Sequence, residues 1–288
     1  MTKYEVIPEE VQKDYLRRLK ATYEKKGLRK RFFDQFEKAS GQEIKDGKFW
    51  RIISSSRLCF DLYSWMADDD NYVDIEVEKQ LTGLNAGGSP PNMDVFYETA
   101  SDIFFIESKY TELVSGKFSI PEAYWVETDA YHTTEGKLIE KPILERYRGR
   151  RDVKDWFVSF IEYVRKLEKN RKGSTWFDSK QEICHLLGIT FYLLESKPQK
   201  SVHFLNVAAN YSYNDLAVSF CIRAEEMIQQ ILRANSISTD FDYQLCSVKD
   251  FFESFLKLDK KGYKTSKTVR ELISNPELYD LSDRKSVV

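Results

Sequence analysis

The chain has 288 residues, 42% of them hydrophobic and 14% aromatic, a composition that builds a core and excludes a disordered protein. Its 44 Lys and Arg nearly balance 46 Asp and Glu, a net charge of -2, so attraction to nucleic acid or an acidic membrane has to come from local patches. No apolar run approaches the roughly 20 residues of a membrane helix, and MTKYEVIPEE lacks the apolar core of a signal peptide, so no membrane partner and a cytoplasmic location are expected.

From Glu9 to about Lys26, Val11, Tyr15, Leu16, Leu19 and Tyr23 recur at helical spacing, and Gly27 closes the segment. A second short helix is expected over 30–38, and a largely buried one from about Ser55 to Met66, followed by the acidic run Asp68, Asp69, Asp70. NYVDIEVEKQL (71–81) alternates as a strand does, GLNAGGSPP is a turn-rich loop, and MDVFYE and DIFFIESKY are separated only by TAS, which predicts a hairpin. PEAYWVETDAY reads as irregular or extended. Val153, Trp156, Phe157, Phe160, Ile161, Val164 and Leu167 mark one face of a long helix.

A further helix is predicted to begin near Ser174 or Thr175 and stop before Pro198, and SVHFLNVAANYSY then reads as a strand. A helix over 214–234, a short strand over 243–247, a helix from Val248 and a last helical segment after Ser266 complete the chain. The pattern predicts one α/β domain, with a helical extension (1–48), a core (49–210) and a C-terminal helical and strand extension (211–288) packed on the same domain.

The four cysteines, Cys59, Cys184, Cys221 and Cys246, are widely spaced and read as reduced, mostly buried thiols. His132, His185 and His203 are too scattered for a histidine-based metal site, and no GxSxG elbow supports a Ser/His/Asp triad. The chemistry-bearing signal lies elsewhere. Within PPNMDVFYETASDIFFIESKY (90–110), Asp94, Glu107 and Lys109 interrupt strands that otherwise look buried, where an unpaired charge is costly. Side chains two apart on a strand share a face, so Glu107 and Lys109 point the same way, and the hairpin can return Asp94 beside Glu107. Two close carboxylates repel unless a proton or cation intervenes. A hard divalent ion, Mg²⁺ or Mn²⁺, suits them, and an adjacent ammonium adds charge stabilisation of the kind phosphodiester hydrolysis needs. The plain alternative is a cross-strand salt bridge on a solvated edge.

Asp94 and Glu107-Ser108-Lys109, with Pro91 upstream and strands around both parts, resemble the active-site signature of the PD-(D/E)xK nuclease superfamily, and SSSRLCFDLY is similar to bacterial type II restriction endonucleases of that group. Pro91 stands three residues before Asp94 rather than next to it, a departure from the usual pattern. The tripeptide alone is common, as at Glu24/Lys26, Asp152/Lys154 or Asp178/Lys180; only Glu107 follows an apolar strand run with an aspartate one strand earlier.

The resemblance covers roughly residues 50–210 and implies a restriction-endonuclease-like αβββαβ core, a central mixed sheet flanked by helices. It implies Asp94 and Glu107 as metal ligands, Lys109 as the group that positions water or stabilises charge, and Gln181, with Lys180 beside it, as a supporting group on the second core helix. Asp61 is the nearest candidate for an acidic residue on the first helix. The implied activity is metal-dependent endonucleolytic hydrolysis of DNA, with a homodimer to cut two strands. An inactive nucleic-acid or protein interaction module of the same fold is the alternative, as is a nuclease for RNA or branched DNA. RYRGRRDVKDW (146–156), RKLEKNRKGS (165–174) and KLDKKGYKTSK (257–267) are candidate phosphate tracks, and Trp176, Tyr211 and Tyr213 candidate stacking groups.

Overall fold

A computed structural model describes residues 9, 10, 13, 14, 17, 28–38, 44–50, 55–64, 74–81, 91–109, 120, 124, 125, 128–132, 138–170, 179–208, 215–248, 250, 251 and 253. Ahead of the sheet stand helices α1 (Leu28–Lys38) and α2 (Ser55–Tyr63), with a 3-10 turn at Lys48–Trp50 between them. Strands β1 (Asp74–Gln80), β2 (Asn92–Glu98) and β3 (Asp102–Lys109) form an antiparallel meander. The tight β2–β3 turn is closed by Thr99, whose N–H donates to the Asp102 carbonyl at 2.8 Å.

A small hairpin of β4 (Thr128–His132) and β5 (Leu138–Pro142) follows, then α3 (Ile143–Arg146) and the long α4 (Arg151–Asn170). Helix α5 (Ser179–Ser196) leads into β6 (Ser201–Ala208), which lies parallel to β3. Helix α6 (Asp215–Ala234) crosses back to β7 (Phe241–Ser247), parallel to β6. The main sheet therefore has five strands in the order β1-β2-β3-β6-β7, mixed in direction, with β3 at its centre. The architecture is α/β.

Each face of the sheet has its own apolar cluster. Phe96, Phe105, Val202 and Phe204 join Phe157, Ile161, Leu187 and Phe220 from α4, α5 and α6 on one side. Val95, Tyr97, Ile106 and Val207 join Phe36, Phe60 and Leu62 from α1 and α2 on the other. A central strand covered on both faces reads as a continuous apolar run, which is why IFFI stands at the middle of β3.

Several expected elements lie outside the described residues in whole or part. Glu9, Glu10, Lys13, Asp14 and Arg17 are helical, in keeping with the first predicted helix, whereas the segment after Ser266 is not described. Strand β5 and helix α3 carried no clear sequence signal. Among the described residues no helix is long and apolar enough to cross a membrane, and the four cysteines are free thiols.

Candidate active site

The ladder between β2 and β3 runs from Glu98↔Ile103 to Val95↔Ile106 and stops there. Continued one step, it would set Asp94 opposite Glu107. Instead the strands part, and the Asp94 carboxylate takes over, its Oδ2 accepting the Ser108 N–H at 2.7 Å. Strand β3 meanwhile continues to pair with β6 out to Lys109↔Ala208. The parting of β2 from β3 thus opens one side of Glu107 and Lys109 while β6 holds the other.

Strand alternation puts Glu107 and Lys109 on one face, 3% and 4% exposed, which rules out a salt bridge on a solvated edge. Lys109 Nζ donates to Glu107 Oε1 at 2.7 Å and to Gln181 Oε1 at 2.6 Å. Gln181 Nε2 in turn donates to Glu107 Oε1 at 2.8 Å, closing a three-membered ring of side chains. Gln181 reaches the sheet from the first turn of α5. Lys180 beside it is exposed and takes no part. The structure thus brings Glu107, Lys109 and Gln181 into direct contact, with Asp94 across the parted strands.

Asp94 is held well above the ordinary carboxyl pKa. Burial is the largest cause, the charges of Glu107 and Glu78 add to it, and Lys109 and the Ser108 N–H work against it. Glu78 is a residue that sequence reasoning missed. It faces Asp94 on β1, between the pairs Val77↔Val95 and Lys79↔Met93, with φ at 51°. Positive φ is unusual for a residue with a side chain and clusters at functional positions.

Further along α5 the first two turns carry Glu182 and His185, 0% and 1% exposed. His185 Nε2 lies 3.8 Å from Glu107 Oε2. In the sequence it stands as one of three scattered histidines, yet its spacing of one helical turn from Gln181 puts the two on one face. Cys184, next to it in sequence, points elsewhere, toward the Tyr124 hydroxyl at 3.1 Å. Burial raises the Glu182 pKa, opposed by Lys109, His185 and the hydrogen bond from Asn206.

Can these groups hold a cation? Among the described residues Glu107 Oε2 is buried with no hydrogen-bond partner, and the Asp94 carboxylate accepts from Ser108 through Oδ2. Both oxygens are hard donors suited to Mg²⁺ or Mn²⁺, and a cation would relieve the repulsion that raises the Asp94 pKa. The donor set fits. Among the described residues no three His, Cys, Asp or Glu side chains already stand as a closed cage, so the remaining ligands of such an ion would be water or substrate oxygens.

The third histidine has a different setting. His203 sits between two aspartates, with Nε2 3.0 Å from Asp102 Oδ1 and Nδ1 on Asp242, so both ring nitrogens are occupied. Ser101 bonds to Asp102 rather than to the imidazole, and no Ser/His/Asp triad forms there.

Much of the first basic tract is engaged within the protein. Arg146 lies over Tyr124 at 4.5 Å, Arg148 pairs with Glu195, and Arg150 reaches Asp152 at 2.5 Å and Asn235 at 2.6 Å. Arg165 lies over Trp125 at 3.7 Å. Arg151, Lys166 and Lys169 are exposed on α4. Asp61 falls on α2, with its side chain outside what is described; residues 68–70, Trp176, Tyr211, Tyr213 and 257–267 also lie outside the described residues.

Compared with protein-family models, with characterised proteins and with solved structures, the chain matches none.

Proposed function

We propose that the protein is a divalent-metal-dependent nuclease that hydrolyses DNA phosphodiester bonds on a restriction-endonuclease-like αβββαβ core, formed by α2, β1, β2, β3, α5 and β6. The observation that carries this reading is the meeting of Glu107, Lys109 and Gln181 where β2 and β3 part, with Asp94 across the gap. Element order supports it. A helix, an antiparallel meander, a helix and a strand parallel to β3 occur in the order the PD-(D/E)xK resemblance implies, with the β4–β5 hairpin, α3 and α4 inserted between the meander and α5.

Asp94 and Glu107 are the proposed holders of Mg²⁺ or Mn²⁺, through Asp94 Oδ1 and Glu107 Oε2. Such an ion, when bound, supplies a water of lowered pKa and offsets charge developing on the phosphoryl oxygens. Lys109 is the group that orients the attacking water or neutralises that charge, because its ammonium is buried, fixed by two acceptors and needs no reorganisation. Gln181 holds the ammonium and the Glu107 carboxylate in one arrangement. Exposed Arg151, Lys166 and Lys169 are the remaining phosphate contacts on α4, and a pair of chains would place one site on each strand of a duplex.

The test is incubation with supercoiled plasmid, an RNA and a branched DNA, with and without Mg²⁺, beside Lys109→Ala. The reading predicts Mg²⁺-dependent nicking of the plasmid that is lost in the variant. Cleavage by Lys109→Ala at the wild-type rate would remove it. Cleavage of RNA or branched DNA alone would move the substrate class, and no cleavage of any of them would favour an inactive interaction module.

A further inference from the structure

Behind Gln181 lies a second set of polar groups that the proposed reaction does not use. Glu182 and Asn206 are both 0% exposed, and Tyr243 is 4% exposed. Asn206 Nδ2 donates to Glu182 Oε2 at 2.8 Å, and the Tyr243 hydroxyl donates to the same oxygen at 2.7 Å. Asn206 Nδ2 also lies 2.6 Å from the Tyr243 hydroxyl, so the three side chains, from α5, β6 and β7, form a closed triangle.

Its placement ties the triangle to the candidate site. Asn206 is the register partner of Glu107 across the parallel β3–β6 pair. Glu182 is the chain neighbour of Gln181, which itself bonds to Glu107. A circuit therefore runs from Glu107 to Asn206, to Glu182, to Gln181 and back to Glu107. Glu107 Oε2, Glu182 Oε1, Asn206 Oδ1 and His185 Nδ1 are all buried without a hydrogen-bond partner among the described residues, so the interior stays polar between the triangle and the site.

Holding α5 against the sheet does not by itself require such groups. Well-packed apolar side chains do as well or better than buried charge. What hydrogen bonds add is a defined distance, and groups behind a reactive carboxylate commonly act by fixing its geometry.

We propose that Glu182, Asn206 and Tyr243 are positioning residues, a buried bracket that sets the first turn of α5 over β3 so that Gln181 reaches both Glu107 and Lys109. The kinetic consequence rests on the nuclease reading; the structural consequence does not. Tyr243→Phe removes one hydroxyl and no carbon, whereas Glu182→Gln retains an oxygen able to accept both hydrogen bonds.

The experiment follows the Gln181 side-chain amide in ¹H–¹⁵N spectra, identified by its loss in Gln181→Ala, together with kcat and KM on whichever nucleic acid is cleaved. Tyr243→Phe should remain folded, displace the Gln181 resonance and lower kcat about tenfold at unchanged KM, while Glu182→Gln stays near wild type in both readouts. Glu182→Met, an apolar side chain of similar length, should also fold and displace the resonance, which covers the case of a Tyr243→Phe that does not fold. A Gln181 resonance unmoved in the folded Tyr243→Phe or Glu182→Met protein overturns the bracket, as does a Glu182→Gln protein as impaired as these. If the wild type cleaves nothing, the amide readout alone decides, so a failed bracket and a failed nuclease reading give different results.

Discussion

Asp94→Asn removes one negative charge and keeps an oxygen for the Ser108 N–H now held at 2.7 Å. In the folded protein burial works most strongly against the charged carboxylate, followed by Glu107 and Glu78, while Lys109 and Ser108 favour it. For unit charges ~5 Å apart at an effective dielectric of ~20, each pair is worth about 3 kcal/mol. Two repulsions and one attraction leave about 3 kcal/mol against the carboxylate, and the weaker hydrogen bond to a neutral oxygen returns about 1 kcal/mol to it. With the burial cost added on top, the variant should therefore be more stable by at least about 2 kcal/mol at pH 7.5 without divalent cation, a rise of roughly 4–8 °C or more in Tm.

The pH dependence has a definite sign. A raised carboxyl pKa means that the folded chain binds the proton more tightly than the unfolded one, so the penalty is absent below the ordinary value of 3.8 and grows as pH rises through the folded value. The stability gain of Asp94→Asn should accordingly shrink as pH falls toward 4. Chemical denaturation of both proteins between pH 4 and 8 measures it. A variant less stable than wild type at pH 7.5, or a gain that is the same at every pH, refutes the reasoning.

Gly188→Ala in α5 should destabilise by up to about 2 kcal/mol in denaturant melts. A Cβ there would sit 2.8 Å from Leu81 Cβ and 3.3 Å from Pro91 Cγ, and overpacking of about 1–3 kcal/mol outweighs a helix-propensity gain of about 1 kcal/mol; equal or greater stability contradicts this. The His203 pKa is raised: burial lowers it, but the hydrogen bonds to Asp242 and Asp102 prevail. Its stabilisation is therefore full below the ordinary value of 6.5 and lost as pH rises through the folded value, so His203→Gln should cost more at pH 5.5 than at pH 9, by under about 1 kcal/mol at this partly exposed position. A larger cost at pH 9 reverses the argument. Binding of DNA to the non-cleaving Asp94→Asn protein should weaken steeply between 50 and 200 mM salt, roughly tenfold or more for a few phosphate contacts, and a salt-insensitive complex would show that α4 makes none.

The β2–β3 hairpin was legible because its strands are short, local and alternating, and because a buried charge in such a run stands out. The shared face of Glu107 and Lys109 follows from strand period alone. The partners of Glu107 from outside the hairpin were less legible. Gln181 came from the resemblance, while His185 shares its helical face but looks like any polar residue in an otherwise apolar helix. Asn206 could not be read at all, since its register with Glu107 is set by a parallel crossover through α4 and α5 rather than by a turn. Glu78 gave no local sign, because positive φ is usually announced by Gly or Asn and neither stands there. Strand β5 was missed because LIEKP has too few residues for a period to show, whereas β4 overlaps the segment PEAYWVETDAY, which reads as irregular or extended.

The proposed binding of a cation by Asp94 and Glu107 is tested most directly by calorimetric titration of Mn²⁺ into the wild type and into Asp94→Asn. The account predicts saturable binding by the wild type that weakens at least tenfold in the variant. Identical curves for the two proteins, or no saturable binding by the wild type, would contradict it.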